Sequence, residues 1–186
     1  MYRTKNGFTL IESLIVLGII SILLSFIAPA VADLIERSRA TTAHNWIITS
    51  IMFARQSAVT YGALTTLCPS STGTSCGGQW HDGSIVFIDL NKDAKVDSED
   101  TIVKRFEYPL DSGTIKWRSF RNRKYLQITS MGYTNFQNGN FVYCPANEDP
   151  RFRRQIVINM IGRARSVHDV DNDGVVEDRR GRYLRC

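Results

Sequence analysis

The sequence has few residues of the kinds that build a catalytic or metal centre. Its 186 residues include three histidines and four cysteines. His44, His81 and His168 lie far apart, no HExxH or CxxC spacing is present, and no histidine lies near a cysteine at ligand spacing. No glycine-rich loop follows a predicted strand, and serine and cysteine have no recognisable catalytic partner. We therefore expect a protein that is not an enzyme and uses no cofactor.

Charged residues are nearly absent from one stretch close to the N-terminus. Between residues 8 and 32 the only ionisable side chain is that of Glu12. As a helix, residues 13–32 would extend about 30 Å, which is the thickness of one hydrocarbon core. Arg3 and Lys5 precede the apolar run and would hold that end in the cytoplasm.

A cleaved secretory signal is an alternative explanation, because residues 28–32 are small enough to form a cleavage site. Two features favour a retained helix. A carboxylate at Glu12 costs a few kcal/mol in a bilayer and needs a partner. Apolar residues also continue at helical spacing beyond the run, which predicts one helix over about residues 9–61. These residues are Ala43, Trp46, Ile47, Ile51, Ala54 and Ala58.

Residues 7–12, GFTLIE, resemble the type IV prepilin signature. The resemblance implies that a prepilin peptidase cleaves between Gly7 and Phe8 and that the new amine of Phe8 is N-methylated. It also implies that Glu12 pairs with the N-terminus of a neighbouring subunit. A carboxylate one turn from a positive amine in an apolar bundle is a fitting counter-charge. The implied partners are other pilins, the peptidase and the inner membrane.

After Gly62 the pattern changes to short β-prone runs separated by turn residues. The predicted strands cover residues 63–67, 84–90, 101–108, 114–117, 125–128, 141–143 and 155–160. WHDG at 80–83, VFID at 86–89 and IVIN at 156–159 followed by GRAR at 162–165 resemble the FimT/FimU/GspH group of minor pilins and pseudopilins.

The resemblance implies an α+β, type IV pilin-like fold. A long N-terminal helix, first transmembrane and then amphipathic, would pack on an antiparallel sheet, and no helix is expected in the head. The predicted segments are a leader at 1–7, a transmembrane helix at 8–32, an amphipathic helix at 33–62 and a periplasmic head at 63–186. The protein would be a single-pass inner-membrane protein until it enters the filament.

All four cysteines lie beyond the apolar segment, which suits an oxidising compartment. Two disulfides are expected, and the order-preserving pairing is Cys68–Cys76 with Cys144–Cys186. Four reduced core thiols are the alternative.

Charge is unevenly distributed in the head. Residues 69–111 carry four basic and eight acidic residues, whereas residues 112–168 carry ten basic and two acidic residues.

The basic residues of the second segment are candidates for binding nucleic acid. Guanidinium groups suit phosphate oxygens, and the aromatic residues Trp117, Phe120 and Tyr125 interleave one basic run, as on surfaces that bind nucleic acid. In FimT-like minor pilins the motif GRxR is associated with DNA capture, which carries over to Arg163 and Arg165 after Gly162. The secondary candidates are Lys116, Arg118, Arg121, Arg123, Lys124, Arg151, Arg153 and Arg154. Alternatively, these cations pair with head carboxylates or form a solvated face or a subunit interface.

Two acidic segments have the oxygen spacing of a calcium loop. The first comprises Asp89, Asn91, Asp93, Asp97 and Asp100. A polar hairpin explains the same residues and is favoured over a calcium site. The second, at 169–177, lacks a twelfth ligand and is expected to be an acidic turn that pairs with Arg179, Arg180 and Arg182.

Two hypotheses follow that are compatible with each other. One is a minor pilin that starts or joins a type IV pilus, and the other is a head that captures double-stranded DNA for transformation. A type II secretion pseudopilin with a purely structural role is the alternative.

Overall fold

The computed structural model describes residues 7–186 and contains one long helix and eight strands. Helix α1 spans Leu10–Tyr61, in agreement with the predicted helix. Gly62 follows it, and its positive φ of 63° is the left-handed conformation that commonly follows a helix. Residues 1–6 of the expected leader lie outside the described residues.

The chain divides into two compact units, Met1–Arg37 and Ser38–Cys186. In the first unit the apolar side chains of α1 are exposed. Among the described residues, α1 is the one helix long and apolar enough to cross a membrane.

The second unit contains two antiparallel four-stranded sheets, whereas the sequence predicted one. The first sheet has the order β3-β2-β1-β5, and the second has the order β4-β6-β7-β8. Strands β1 to β4 are Thr65–Pro69, Ser84–Ile88, Thr101–Phe106 and Thr114–Ser119. Strands β5 to β8 are Leu126–Ile128, Gly139–Cys144, Arg154–Ile158 and Ala164–Ser166.

All seven predicted strands are present, and β8 was missed because its three residues are too few to show an alternating pattern. Two short 3-10 turns, Phe120–Asn122 and Pro150–Phe152, also occur where no helical structure was expected in the head. Asp149 caps the second turn by accepting a hydrogen bond from the Arg151 amide.

One core joins α1 to both sheets. Small residues of α1, including Ala43, Ala54 and Ala58, are fully buried and allow the sheets to approach the helix. Apolar side chains from both sheets complete this core: Leu67, Val86, Leu126 and Ile128 from the first, and Ile115, Phe141, Tyr143, Ile156 and Ile158 from the second.

Each sheet also carries a smaller apolar cluster outside this core. On the first sheet, Cys68, Ile85 and Phe87 pack with Val96, which lies in the loop between β2 and β3. On the second sheet, Val142 and Cys144 pack with Val176 and Leu184 of the C-terminal segment. The predicted disulfides, Cys68–Cys76 and Cys144–Cys186, are both present, one beside each cluster.

Candidate nucleic-acid interface

Strand alternation gives the second sheet an inner and an outer face. Phe141 and Tyr143 of β6 face the main core, so Asn140 and Val142 face outward. Register pairs Asn140 with Arg118 of β4 on one side and with Val157 of β7 on the other. Val157 is in turn paired with Arg165 of β8.

Arg118 and Arg165 therefore end one row that crosses all four strands. Three strand spacings place their backbones about 14 Å apart. Lys116 lies two residues before Arg118 and shares its face. The structure thus brings together three of the predicted cations, although they come from opposite edges of the sheet. We call Lys116, Arg118 and Arg165 the outer-face cations.

The outer-face cations are available for an external ligand. All three side chains are exposed. Within residues 7–186, none of the three forms an ion pair or donates a side-chain hydrogen bond in the structure. Each could therefore give up water contacts to bind a phosphate without breaking an internal interaction.

A fourth cation, Arg185, joins this face and was missed by the sequence analysis. It lines one groove with Lys116 and another with Arg118. The Cys144–Cys186 disulfide and a 2.6 Å hydrogen bond from the Arg153 Nη1 to the Leu184 carbonyl hold the tail there. The expected disulfide was the available signal, because it ties residue 186 to the end of β6.

The glycine of the GRxR motif has a structural role. Gly162 has a φ of +75°, and a Cβ at this position would lie 2.2 Å from the carbonyl oxygen of Gly132. Its amide donates to the Asn159 carbonyl, and the Asn159 side chain accepts a hydrogen bond from the Arg163 amide. The glycine therefore closes the turn between β7 and β8 against a second backbone segment.

The two arginines of the motif border different grooves. Arg163 lies in the turn and lines a groove with Met52 and Val59 of α1, whereas Arg165 lines a groove with Gln155 and Val157. Arg55 of α1 also lines the Arg163 groove, and its Nη1 lies 3.4 Å from the Gly162 carbonyl oxygen. The sequence analysis did not select Arg55, because helical position alone did not place it beside the motif.

Three predicted arginines have internal roles instead. Arg151 forms a 2.7 Å ion pair with Asp149 and lies over the Phe152 ring, and its hydrogen bonds lower the pKa of Asp149. Arg153 donates to the carbonyls of Glu148 and Leu184. Arg154 donates to the carbonyls of Arg151 and Arg153. These contacts fold the segment before β7 and fasten the tail.

The basic run after β4 is divided in the same way. Arg121 and Lys124 are exposed, and the Arg121 guanidinium lies 5.5 Å from the Phe120 ring centre. Arg123 is half-buried and donates to the Asn135 carbonyl at 3.2 Å.

The expected alternation of cations with exposed aromatic rings is wrong at Trp117. Its ring stacks on Phe141, with ring centres 4.3 Å apart, and its Nε1 donates to the Arg123 carbonyl. Trp117 faces inward because β4 alternates, so its neighbours Lys116 and Arg118 face outward. Phe120 is exposed, and Tyr125 is half-buried beside the outer cluster of the first sheet.

The first acidic segment forms the expected polar hairpin loop between β2 and β3. Asp89 is 1% exposed, and its Oδ2 accepts hydrogen bonds from Thr66, Gln127 and the Ala94 amide. Asp100 accepts the amides of Leu90 and Asp97. The Asn91 side-chain amide donates to Asp97, and the Lys95 amide donates to Asp93.

The expectation for the second acidic segment is wrong. Arg182 pairs at 2.8 Å with Asp178, outside the 169–177 loop, and holds the pKa of Asp178 at about 2. In the part of the chain that the structure describes, Arg179 and Arg180 form no ion pair with the loop. The reason is local, since a tight turn from Asp178 to Arg182 brings these two side chains together.

Comparison with known proteins assigns the family. The profile described as type II transport protein GspH matches residues 43–162, which is more than half of the chain. The chain belongs to the GspH family. The profile of the prokaryotic N-terminal methylation motif matches residues 2–28. The comparison with curated proteins gives no match.

Two crystal structures of the type IV minor pilin FimU of Pseudomonas aeruginosa PAO1 resemble this GspH-family chain. The form in space group P21 has a TM-score of 0.52 and 16% identity over 68% of this chain and 85% of FimU. The form in space group P65 has a TM-score of 0.49 and 15% identity over 68% and 90%. The first likeness shows that the two proteins share a fold. Together with the GspH profile and the N-terminal methylation motif, this fold identifies the chain as a type IV pilin-like minor pilin or pseudopilin.

The residues of the pilin signature lie at the start of the described chain. Glu12 Oε2 accepts hydrogen bonds from the amide and the hydroxyl of Thr9 at 3.3 and 3.2 Å. The Thr9 hydroxyl in turn accepts the Glu12 amide at 3.3 Å. This reciprocal pair is a capping box, which favours starting α1 at Leu10. Phe8 is exposed, and the apolar helix after it suits membrane anchoring and incorporation into a filament.

Proposed function

We propose that this protein is a minor pilin of a type IV pilus whose outer face holds double-stranded DNA. In this proposal, prepilin peptidase cleaves after Gly7, Phe8 is N-methylated, and the head lies in the periplasm until the subunit enters the filament. Glu12 contributes to assembly once cleavage has created a new amine. The observation that carries the DNA proposal is the row from Arg118 to Arg165, together with Lys116 and Arg185.

This surface supports binding to a phosphate backbone without base readout. Its cations are spread over about 14 Å across a rigid sheet, and Asn140 lies between them as a further polar group. Contacts to phosphate fix the position of the duplex and carry no sequence information directly. Affinity should therefore be micromolar, show little sequence preference and fall steeply with salt as counterions are released.

The test is a gel-shift titration of the full-length chain in an uncharged detergent with a duplex of mixed sequence. Arg118→Ala with Arg165→Ala should weaken binding at least tenfold and lower the salt slope by about two, one for each phosphate contact. The matched control is Lys92→Ala with Lys95→Ala, which removes the same charge from the loop between β2 and β3. It should leave the affinity nearly unchanged.

Equal losses in both double variants would mean that only net charge matters and that the row is no site. If the unmodified chain fails to retard DNA even at low salt, the DNA part of the proposal is wrong. Single variants also separate the motif residues. Arg165→Ala should weaken binding more than Arg163→Ala, because Arg163 borders the groove beside α1.

A type II secretion pseudopilin is the second candidate, and three acidic residues beside Arg165 favour it over a DNA-binding pilin. Asp171, Glu177 and Asp178 line the same groove as Arg165 and would repel a phosphate there. Deletion in the native host separates the two systems, because one predicts loss of pili and the other predicts loss of secretion. Glu12→Ala should fail to enter filaments in either case, whereas Arg118→Ala with Arg165→Ala should assemble normally.

A further inference from the structure

The four acidic side chains of the 169–177 loop converge on one point. One oxygen from each of Asp169, Asp171, Asp173 and Glu177 lies within 4.8 Å of the others. Calcium holds its oxygen ligands at about 2.3–2.6 Å, so ligands on opposite sides of the ion are about 5 Å apart. The cluster is therefore already close to the size of a calcium shell.

The buried carboxylate of Glu177 indicates that a ligand binds at this point. Its side chain belongs to a residue that is 8% exposed, and both carboxylate oxygens are buried. Within residues 7–186, neither oxygen has a hydrogen-bond partner. An ionised carboxylate removed from water without a partner is strongly unfavourable, and three aspartates beside it add repulsion.

The neighbouring side chains of Arg182 and Tyr183 do not supply the missing partner of Glu177. Arg182 is paired with Asp178, and the Tyr183 hydroxyl donates to Asp173 rather than to Glu177. The loop backbone also binds the aspartates. Asp169 accepts the amides of Asn172 and Gly174.

We propose that the 169–177 loop binds one calcium ion through Asp169, Asp171, Asp173 and Glu177. Four carboxylates with no nitrogen or sulfur donor form a hard-oxygen site. Their combined charge of minus four suits a divalent cation, and Mg²⁺ is the poorer fit because it demands octahedral geometry and retains its waters.

The ion would fasten the C-terminal segment to the second sheet. Val176, next to Glu177, packs on Val142 and Cys144, and Glu177 forms a backbone bridge with Tyr183. Binding at Glu177 therefore connects the loop to the segment that carries Leu184 and the Cys144–Cys186 disulfide. The proposal does not depend on DNA binding or on the identity of the filament.

The loop at 89–100 provides a matched comparison within the same chain. It has the same spacing at its first, third and fifth positions, and its buried acid, Asp89, has three donors on one oxygen. Among the residues that the structure describes, acidic ligand atoms converge at 169–177 and not at 89–100. One calcium per chain is therefore expected, rather than two.

The experiment is calorimetric titration of CaCl₂ into the chelator-treated full-length chain in an uncharged detergent, with magnesium present throughout. One ion should bind with a dissociation constant of about 10⁻⁴ to 10⁻³ M, the range of extracellular calcium modules. Glu177→Gln and Asp171→Asn should each weaken binding at least tenfold. Asp97→Asn, in the other loop, should leave it unchanged. Terbium luminescence sensitised by Tyr183 provides an independent measure of the same site.

Absence of binding at millimolar calcium would overturn the proposal. Loss of binding in Asp97→Asn with retention in Glu177→Gln would also overturn it, because the ion would then lie in the first loop. Asp171 is exposed, so Asp171→Asn keeps the test valid if Glu177→Gln fails to fold.

Discussion

The outer faces of the two sheets are covered in parallel ways. Each receives one valine from an acidic loop, Val96 on the first sheet and Val176 on the second, and each has a disulfide beside the cluster. The buried carboxylates of the two loops have different partners. Asp89 accepts hydrogen bonds from Thr66 and Gln127 of the first sheet on its Oδ2, and only its Oδ1 has no partner, whereas within residues 7–186 neither oxygen of Glu177 has a donor. A common spacing of acids therefore does not determine whether a loop is self-sufficient or needs an ion.

Loss of the disulfides gives the largest expected effects on the stability of the two sheets. Cys144–Cys186 spans 42 residues and Cys68–Cys76 spans 8. By the loop-entropy relation, Cys144→Ser with Cys186→Ser should lower the free energy of unfolding by about 4 kcal/mol, and Cys68→Ser with Cys76→Ser by about 2.5 kcal/mol. Urea unfolding followed by tryptophan fluorescence measures both. Equal losses would mean that local packing outweighs chain entropy.

The buried acids should respond in opposite directions when calcium is removed. Asp89→Ala leaves three buried donors without an acceptor and should lower the free energy of unfolding by about 3 kcal/mol. Glu177→Gln removes an unpaired buried charge and should raise stability by about 1 kcal/mol in chelator. In saturating calcium, Glu177→Gln should instead lower the free energy of unfolding, whereas the loss caused by Asp89→Ala should be unchanged. The measurement is urea unfolding with and without calcium, and a destabilised Glu177→Gln in chelator would contradict the comparison.

The smallest expected effect concerns the contact of α1 with β8. His44 Nε2 lies 2.9 Å from the Ser166 hydroxyl, and burial, aided by Arg154, lowers the pKa of His44 below 6.5. A lowered folded pKa means that protonation of His44 favours the unfolded chain. The contribution of His44 to stability is therefore complete above pH 6.5 and is lost as the pH falls through its folded pKa. His44→Gln should flatten stability between pH 7 and 5 by under about 1 kcal/mol, because the group is only half-buried. An unchanged pH profile in thermal unfolding would show that His44 does not titrate in this range.

Local sequence was enough to predict the elements and their boundaries approximately. Apolar spacing located α1 and seven strands, because burial of one face imposes a period that is visible in the chain. The even cysteine number and their position beyond the apolar run led to the disulfide pairing that the structure contains. The motif at residues 7–12 indicated the pilin class, and the two family profiles agree with it.

The surface chemistry was decided only by the tertiary structure. Sequence proximity grouped Arg151, Arg153 and Arg154 with the other cations, yet their guanidinium groups are used to hold carbonyls and Asp149. Arg118 and Arg165 are 47 positions apart and share a row because cross-strand register depends on the whole sheet. Glu177 looked like one more acid in a polar turn. Its burial without a partner arises from the packing of Val176 on the sheet, which no local pattern encodes.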